Sequence, residues 1–316
     1  MITRAFLFPG QGSQEVGMAA DLAGGDSHFQ SLIEAGSLQT GEDLRTLCLR
    51  GPEKALRRTA VLQPLIVAVS LGYLRRLLEK GITPDWVLGH SLGEITALAA
   101  AGVVAPEQAV IIAARRGRLM EEAAAAADGG MMAVIGPERE SVLALLGEPA
   151  GADQLTLAND NAPTQIVISG RRPALEAMAQ RIGAAKLGTC RILPVAGPWH
   201  SPYMATASAR FADYLETQVF GKPSIPIVMN YSGQREDDPR RIKENVINAV
   251  REPVQWRAAM GFLRSAGVGS LVEIGPGRVL SGLARTNGFG NETHLCTVSS
   301  LRNVDSVAEA ASRNEA

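Results

Sequence analysis

A serine flanked by glycines, in Gly89-His90-Ser91-Leu92-Gly93, is the first feature of this 316-residue chain able to do covalent chemistry. A short apolar run, Trp86-Val87-Leu88, precedes it, and a small-residue helical stretch from Glu94 to Ala101 follows. The serine therefore falls on a strand-to-helix turn, the setting in which a GxSxG sequence serves as a nucleophile elbow. Such a turn lifts the hydroxyl out at a helix N-terminus, where free N–H groups and the helix dipole favour a developing oxyanion. Glycines fit there because the turn is tight and neighbouring backbone passes close to it.

A serine hydroxyl is a weak nucleophile and needs a base. The chain has four histidines, so elimination is informative. His90 adjoins the serine, and a neighbour on a tight turn points elsewhere. His28 lies in a polar stretch beside Asp26 and Ser27 and reads as solvated surface, and His294 lacks flanking turn residues. His200 sits in Ala196-Gly197-Pro198-Trp199-His200-Ser201-Pro202, a Gly/Pro-rich loop that can deliver a side chain into a crevice between domains. Ser91 and His200 are thus the expected catalytic pair. No aspartate stands out as a third member, and a backbone or amide oxygen can orient the imidazole instead.

The elements that must position these residues form an α/β pattern with a mostly parallel sheet, since short apolar runs alternate with long helical stretches. Ala5-Phe6-Leu7-Phe8 reads as a strand ending in the glycine-rich turn Pro9-Gly10-Gln11-Gly12-Ser13-Gln14, and Ser270 to Ile274 as a strand stopped by Gly275-Pro276-Gly277. In the middle, strand 131–135, a helix from Pro137 to Leu146, strands 155–158 and 165–169, helix 173–185 and strand 189–195 follow in the order βαββαβ of a ferredoxin-like unit. The expected partition is a hydrolase-like body of residues 1–128 plus 196–316 and an inserted ferredoxin-like subdomain of residues 129–195. The polar tail after Arg302 is expected to be frayed.

Bulk composition narrows the function classes. A net charge of −1 argues against a general nucleic-acid binder. Three scattered cysteines, Cys48, Cys190 and Cys296, suit a reducing cytoplasmic setting and offer neither a disulfide framework nor a thiolate metal site. The apolar start is too short for a signal peptide, and no stretch is expected to reach the length of a membrane span. Gly10-Gln11-Gly12 lacks the third glycine of a dinucleotide loop. A monomer without metal or bound cofactor is the resulting expectation.

Taken together, Phe8-Pro9-Gly10-Gln11-Gly12-Ser13-Gln14, Gly89 to Glu94, Arg116-Gly117, Asn161 with Gln165 to Gly170, His200-Ser201, Pro253-Val254-Gln255-Trp256 and Glu273 to Gly277 occur in an order that resembles the malonyl-CoA:acyl-carrier-protein transacylases, including those serving polyketide synthases in trans. The likeness spans about residues 4–290 and rests on several motifs together rather than on GxSxG alone. It implies a transfer of malonyl from coenzyme A, a substrate rather than a cofactor, to the phosphopantetheine thiol of an acyl carrier protein. Ser91 would carry the acyl ester and His200 would act as base, then acid. Backbone N–H groups of Gln11 and Leu92 would form the oxyanion hole. Gln63, Asn161 and Trp199 would line the substrate pocket, Trp199 crowding a branched α-carbon.

Arg116 would grip the free malonyl carboxylate, and the physical case for it stands separately. Only a guanidinium offers a planar fork to both carboxylate oxygens. Such a charged hydrogen bond contributes about 1.5–3 kcal/mol. Arg115 and Arg118 beside it read as ordinary helix arginines. The resemblance also implies that a main-chain oxygen orients His200, at a position where this chain has Ala249 in place of the usual Gln or Asn. Arg171, Arg172, Lys186 and Arg191 supply basic surface for an acidic carrier. Two other classes remain open at this level: a thioester hydrolase using the same Ser91 and His200 without need of Arg116, and a non-catalytic scaffold. A malonyl transferase of malonate decarboxylase would use the same residues.

Overall fold

The computed structural model describes residues 2–136, 139–147 and 155–315. Its strands are β1 (Arg4–Phe8), β2 (Trp86–Gly89), β3 (Gly129–Ile135), β4 (Thr156–Ala162), β5 (Gln165–Arg171), β6 (Thr189–Ile192), β7 (Ile227–Val228), β8 (Arg235–Glu236), β9 (Ser270–Ile274) and β10 (His294–Val298). They form a six-stranded sheet in the order β10-β9-β1-β2-β7-β8 and a four-stranded sheet in the order β4-β5-β3-β6. The larger sheet is parallel except where β8 pairs with β7.

β1 lies at the centre of that sheet, and its alternation of side chains builds two cores at once. Phe6 and Phe8 face a large cluster made with the helices Thr59–Glu79, Pro106–Ala125 and Ser27–Thr40. Ala5 and Leu7 face a second cluster with the helices Trp256–Ser265 and Val279–Thr286. A strand covered on both faces needs apolar residues at successive positions, which is why Ala5-Phe6-Leu7-Phe8 shows no polar alternation.

The four-stranded sheet is antiparallel throughout. Its strand order, with helices Arg139–Leu146 and Arg172–Ala184 as crossovers, is that of a ferredoxin-like unit. It has its own core, in which Met132, Val134, Ile166 and Ile168 meet Val142, Leu175, Met178 and Ile182.

Several expectations need correction. β4 runs to Ala162 rather than stopping near residue 158. Asn159, Asp160 and Asn161 have poor strand propensity, but the body supplies partners for them: the Asp160 N–H donates to the Val254 carbonyl and the Val254 N–H to that of Ala158, both at 2.9 Å. β6 ends at Ile192 instead of residue 195. Pro137, expected to open the first crossover helix, lies outside the described residues, and that helix is seen from Arg139.

The tail is helical, not frayed, from Leu301 to Glu315. Its start is held by Asp21, whose carboxylate accepts the Leu301 N–H at 2.6 Å, and Val304 and Val307 are buried against the main core. The helix Thr59–Glu79, at 21 residues, is long and apolar enough to cross a membrane by length and composition, contrary to expectation. Here its apolar surface is spent inside the protein, where it packs against the helix Pro106–Ala125 and has most of its residues buried.

Candidate active site

The C-terminal ends of β1, β2 and β7 converge on Ser91, where an open parallel sheet places its crevice. β2 hands the chain to the helix Gly93–Ala100 across His90 and Ser91. A side chain on Gly89 would collide with the Gly93 carbonyl, and one on Gly93 with the carbonyl of Phe8. Ser91 takes a left-handed backbone with φ 52°, a conformation that costs a non-glycine residue about 1–3 kcal/mol and persists only where its surroundings fix it.

Asn230, two residues past the end of β7, does that fixing. Its Oδ1 accepts the Ser91 N–H at 2.7 Å and its Nδ2 donates to the Gly89 carbonyl at 2.6 Å. Glu94 holds Asn230 in turn, accepting its backbone N–H at 2.7 Å and its Nδ2 at 3.1 Å. Glu94 is buried, and burial pushes its carboxyl up to about 7. Sequence reasoning did not single out Asn230. A two-residue strand before it gives little signal, and its partners lie 136 to 141 residues away.

His200 arrives from the loop after β6, also with a left-handed φ of 55°. Its Nε2 lies 2.8 Å from Ser91 Oγ and its Nδ1 2.7 Å from the Ala249 carbonyl oxygen. That carbonyl can only accept, so the ring proton belongs on Nδ1, and Nε2 is left to accept the serine hydroxyl. The orienting group is therefore main-chain, and its loss does not follow from an alanine at position 249. Burial first, and the Arg116 charge second, push the imidazole down to about 3, so it is neutral near pH 7.

The other histidines lie elsewhere. His90 turns away from the hydroxyl, its Nε2 2.8 Å from Asn161 Oδ1 and its ring edge-on to Trp256 at 5.1 Å. His28 is half-buried on a helix rather than solvated, and His294 begins β10.

Arg116 is 3% exposed, on the helix Pro106–Ala125. Gly117 lets this helix approach the helix Thr59–Glu79, since a Cβ there would lie 2.6 Å from the Thr59 carbonyl oxygen. The guanidinium donates to Gln63 Oε1 at 3.0 Å and to Ser91 Oγ at 3.3 Å. Gln63 Nε2 donates onward to Gln11 Oε1 at 3.1 Å. Burial pulls Arg116 down to about 10, still a full cation near neutrality. Its neighbours differ: Arg115 lies over the Tyr214 ring at 5.7 Å, and Arg118 is half-exposed beside Glu122.

The turn carrying Gln11 runs along the elbow, so that a Cβ on Gly10 would stand 2.6 Å from the His90 carbonyl oxygen and 3.8 Å from the Leu92 nitrogen. Among the described residues, the Gln11 and Leu92 N–H groups donate to no protein acceptor. Trp199 is 4% exposed and packs in the main core, its ring lying over Gly197. Asn161 is buried beside His90. Among the described residues its Nδ2 donates to no protein group, and its carbonyl oxygen accepts from Asn287 Nδ2 at 2.8 Å.

The structure thus brings Ser91, His200, Arg116, Gln63 and Gln11 into one hydrogen-bonded set. Asn161 is joined to His90, at 2.8 Å, and not to a member of that set. Such a set can deprotonate a serine, stabilise an oxyanion and pair with an anionic group beside the attacked carbon.

The family of acyl transferase domains matches residues 5–300. The malonyl CoA-acyl carrier protein transacylase of Salmonella typhimurium is 36% identical over 282 residues, covering 89% of this chain and 91% of that protein. Its counterpart from Bacillus subtilis is 35% identical over 284 residues, 89% of each. Among solved structures, the malonyl-CoA:acyl carrier protein transacylase of Xanthomonas oryzae superposes with a TM-score of 0.91 at 33% identity, covering 98% of both chains. A malonyl-transacylase solved in complex with its type II polyketide acyl-carrier protein gives a TM-score of 0.91 at 35% identity, covering 98% of this chain and 99% of that one.

Proposed function

The chain belongs to the acyl transferase domain family, among its malonyl-CoA:acyl-carrier-protein transacylases, and on that premise we propose that Ser91 and His200 pass a malonyl group from coenzyme A to a carrier-protein thiol. The observation that carries the assignment is the sharing of Ser91 Oγ between an imidazole at 2.8 Å and a guanidinium at 3.3 Å.

In the first half-reaction Ser91 Oγ attacks the thioester carbonyl carbon while its proton moves to His200 Nε2. The carbonyl oxygen becomes an oxyanion that accepts from the Gln11 and Leu92 N–H groups, and removing one such donor typically costs on the order of 10²–10³ in rate. Collapse of the tetrahedral intermediate breaks the C–S bond, and the departing sulfur takes the proton from His200. In the second half-reaction the phosphopantetheine thiol gives its proton to His200, attacks the serine ester, and Ser91 leaves with that proton. Imidazolium is stabilised throughout by the Ala249 carbonyl on Nδ1.

Arg116 selects the substrate. Its cation is already desolvated, and its protein partners, Gln63 and Ser91 Oγ, are neutral. A malonyl carboxylate replaces the contact to Ser91 Oγ with a stronger charged one, which frees the hydroxyl for attack. Asn161 Nδ2 is assigned to donate to the substrate, and Trp199 to limit the size of the acyl α-carbon. The exposed Arg172, Lys186 and Arg191 are assigned, with Arg171, to the approach of the carrier protein. The reading extends to a cytoplasmic monomer without resident cofactor or metal, on the grounds of three unpaired cysteines and a catalytic set contained in one chain.

The test is mass spectrometry of the intact protein after incubation with a mixture of malonyl-CoA and acetyl-CoA, followed by addition of an acyl carrier protein. One malonyl group on the peptide containing Ser91, discharged onto the carrier thiol, is expected. Ser91→Ala should remove the label and lower transfer by about 10⁴-fold or more. Label retained by Ser91→Ala, or free malonate as the main product in place of malonyl-carrier, would overturn the assignment.

A further inference from the structure

Glu273-Ile274-Gly275-Pro276-Gly277 has no part in the chemistry above, yet it lies directly behind the turn that carries Gln11. The Glu273 side chain is fully buried. Its Oε1 accepts the Leu280 N–H at 3.0 Å, and its Oε2 accepts the Ser281 N–H and hydroxyl, both at 2.8 Å. The carboxylate therefore closes the loop onto the start of the helix Val279–Thr286. The Gly275 N–H donates to the Val298 carbonyl at 2.9 Å, which ties the same loop to the end of β10.

Between those two anchors the loop touches the Pro9–Ser13 turn twice. Gly275 has φ +136°, and a Cβ there would lie 2.7 Å from Pro9 Cγ and against Ser70 Oγ. Gly277 has φ +79°, and a Cβ there would lie 3.1 Å from Ser13 Cβ. Ser13 Oγ in turn donates to the Gly10 carbonyl at 2.8 Å, and the Gly12 N–H donates to Gln14 Oε1 at 2.8 Å. On its other side the turn meets the elbow through Gly10. The residues on either side of Gln11 are thus fixed, Gly10 against the elbow and Pro9 and Ser13 against the 275–277 loop.

We propose that the Gly275–Gly277 loop, clamped by Glu273, is a positioning element that sets where the Gln11 N–H points in the oxyanion hole. An oxyanion donor works only within a few tenths of an ångström of its place, because its effect comes from being preorganised rather than from its strength. A turn with glycines on both sides of Gln11, at positions 10 and 12, gains that position from what packs against it. The inference rests on the role assigned to Gln11.

The experiment uses Gly277→Ala and Glu273→Gln. A glutamine at 273 cannot accept all three hydrogen bonds, and its amide nitrogen opposes one of the N–H donors. Three quantities are read: the single-turnover rate of Ser91 malonylation, the KM for malonyl-CoA, and the affinity of a trifluoromethyl ketone analogue of the thioester, which forms an oxyanion when Ser91 adds to it. For Gly277→Ala we expect a fall of about tenfold to a hundredfold in malonylation rate, the range of a weakened oxyanion donor. Analogue affinity should fall in parallel and KM should stay within about twofold. Glu273→Gln should move rate and analogue affinity in the same direction by a smaller factor, and it carries the test alone should Gly277→Ala not fold.

Wild-type rate and wild-type analogue affinity in variants that lose only thermal stability would overturn the proposal. So would a raised KM at unchanged rate. A wild-type protein that forms no acyl-Ser91 at all would instead overturn the parent reading, and that outcome is visible without either variant.

Discussion

Arg116 and Asp160 are buried to nearly the same degree, 3% and 2% exposed, and the protein treats their charges in opposite ways. Asp160, on β4 of the subdomain, is met by Arg139 Nε at 3.0 Å from its own subdomain and by Arg257 at 3.0 Å from the body. Every charge there is answered. Arg116 has no ion pair within 4 Å among the described residues and is met by a glutamine and a serine. The nearby Glu94 is committed to Asn230. A buried ion with ionic partners joins two parts of a fold, whereas a buried ion with neutral partners is what the proposed function requires of Arg116, a cation kept for the malonyl carboxylate.

Four substitutions or measurements would break or sharpen that contrast. The largest effect belongs to Arg116→Ala. Its malonyl kcat/KM should fall by about 10²-fold while acetyl transfer changes by less than about tenfold, as measured with each acyl-CoA in turn. Unchanged selectivity would place the anion's partner elsewhere. Asp160→Asn should do the reverse, lowering stability by about 1–3 kcal/mol in denaturant melts and leaving kcat/KM within about threefold. That estimate is held down because Arg139 and Arg257 are 24% and 42% exposed and can rehydrate. An activity loss as deep as that of Arg116→Ala would erase the distinction between the two clusters.

The pH profile comes next. As the proposed base His200 works in its neutral form, and its pKa is lowered, so acid must go further before that form is lost. The acid limb of kcat/KM that reports His200 should fall below the ordinary histidine value of 6.5. Arg116→Ala removes a positive neighbour and should move that limb upward, measured with acetyl-CoA. A limb that stays put would show that burial alone depresses the imidazole. The smallest effect is expected for Ala249→Gln, within about twofold in kcat, because the contact to His200 Nδ1 is made by a main-chain oxygen that any residue provides. A gain well beyond that would mean the side chain at 249 tunes the base.

The tail shows how local polarity misleads. Residues after Arg302 are mostly polar, yet Val304, Val307, Ala308 and Ala311 recur at helical spacing, and one face is buried on the main core. That period was legible. Its anchor was not, because Asp21 lies 280 residues from Leu301. The same holds for β4, whose Asn159-Asp160-Asn161 lies past the expected strand end at residue 158 and is received by Val254, Arg257 and His90.

What the sequence determined by itself is what short-range sterics and periodicity dictate. Gly89 and Gly93 have no room for a side chain, so the elbow is written in five consecutive residues. The apolar runs of β1 and β9 and the βαββαβ order of the subdomain follow from alternation and helical spacing. Tertiary structure alone decided the groups that act through space. The Ala249 carbonyl that orients His200 carries no residue-type signal, since every residue has one. Asn230 braces Ser91 from 139 positions away. Arg116 stands apart from Arg115 and Arg118 because the close approach of two helices desolvates that one guanidinium and leaves its neighbours in solvent or over a ring. Covalent neighbours fix the shape of a turn, but only packing sets the dielectric and the distances on which proton transfer and charge recognition depend.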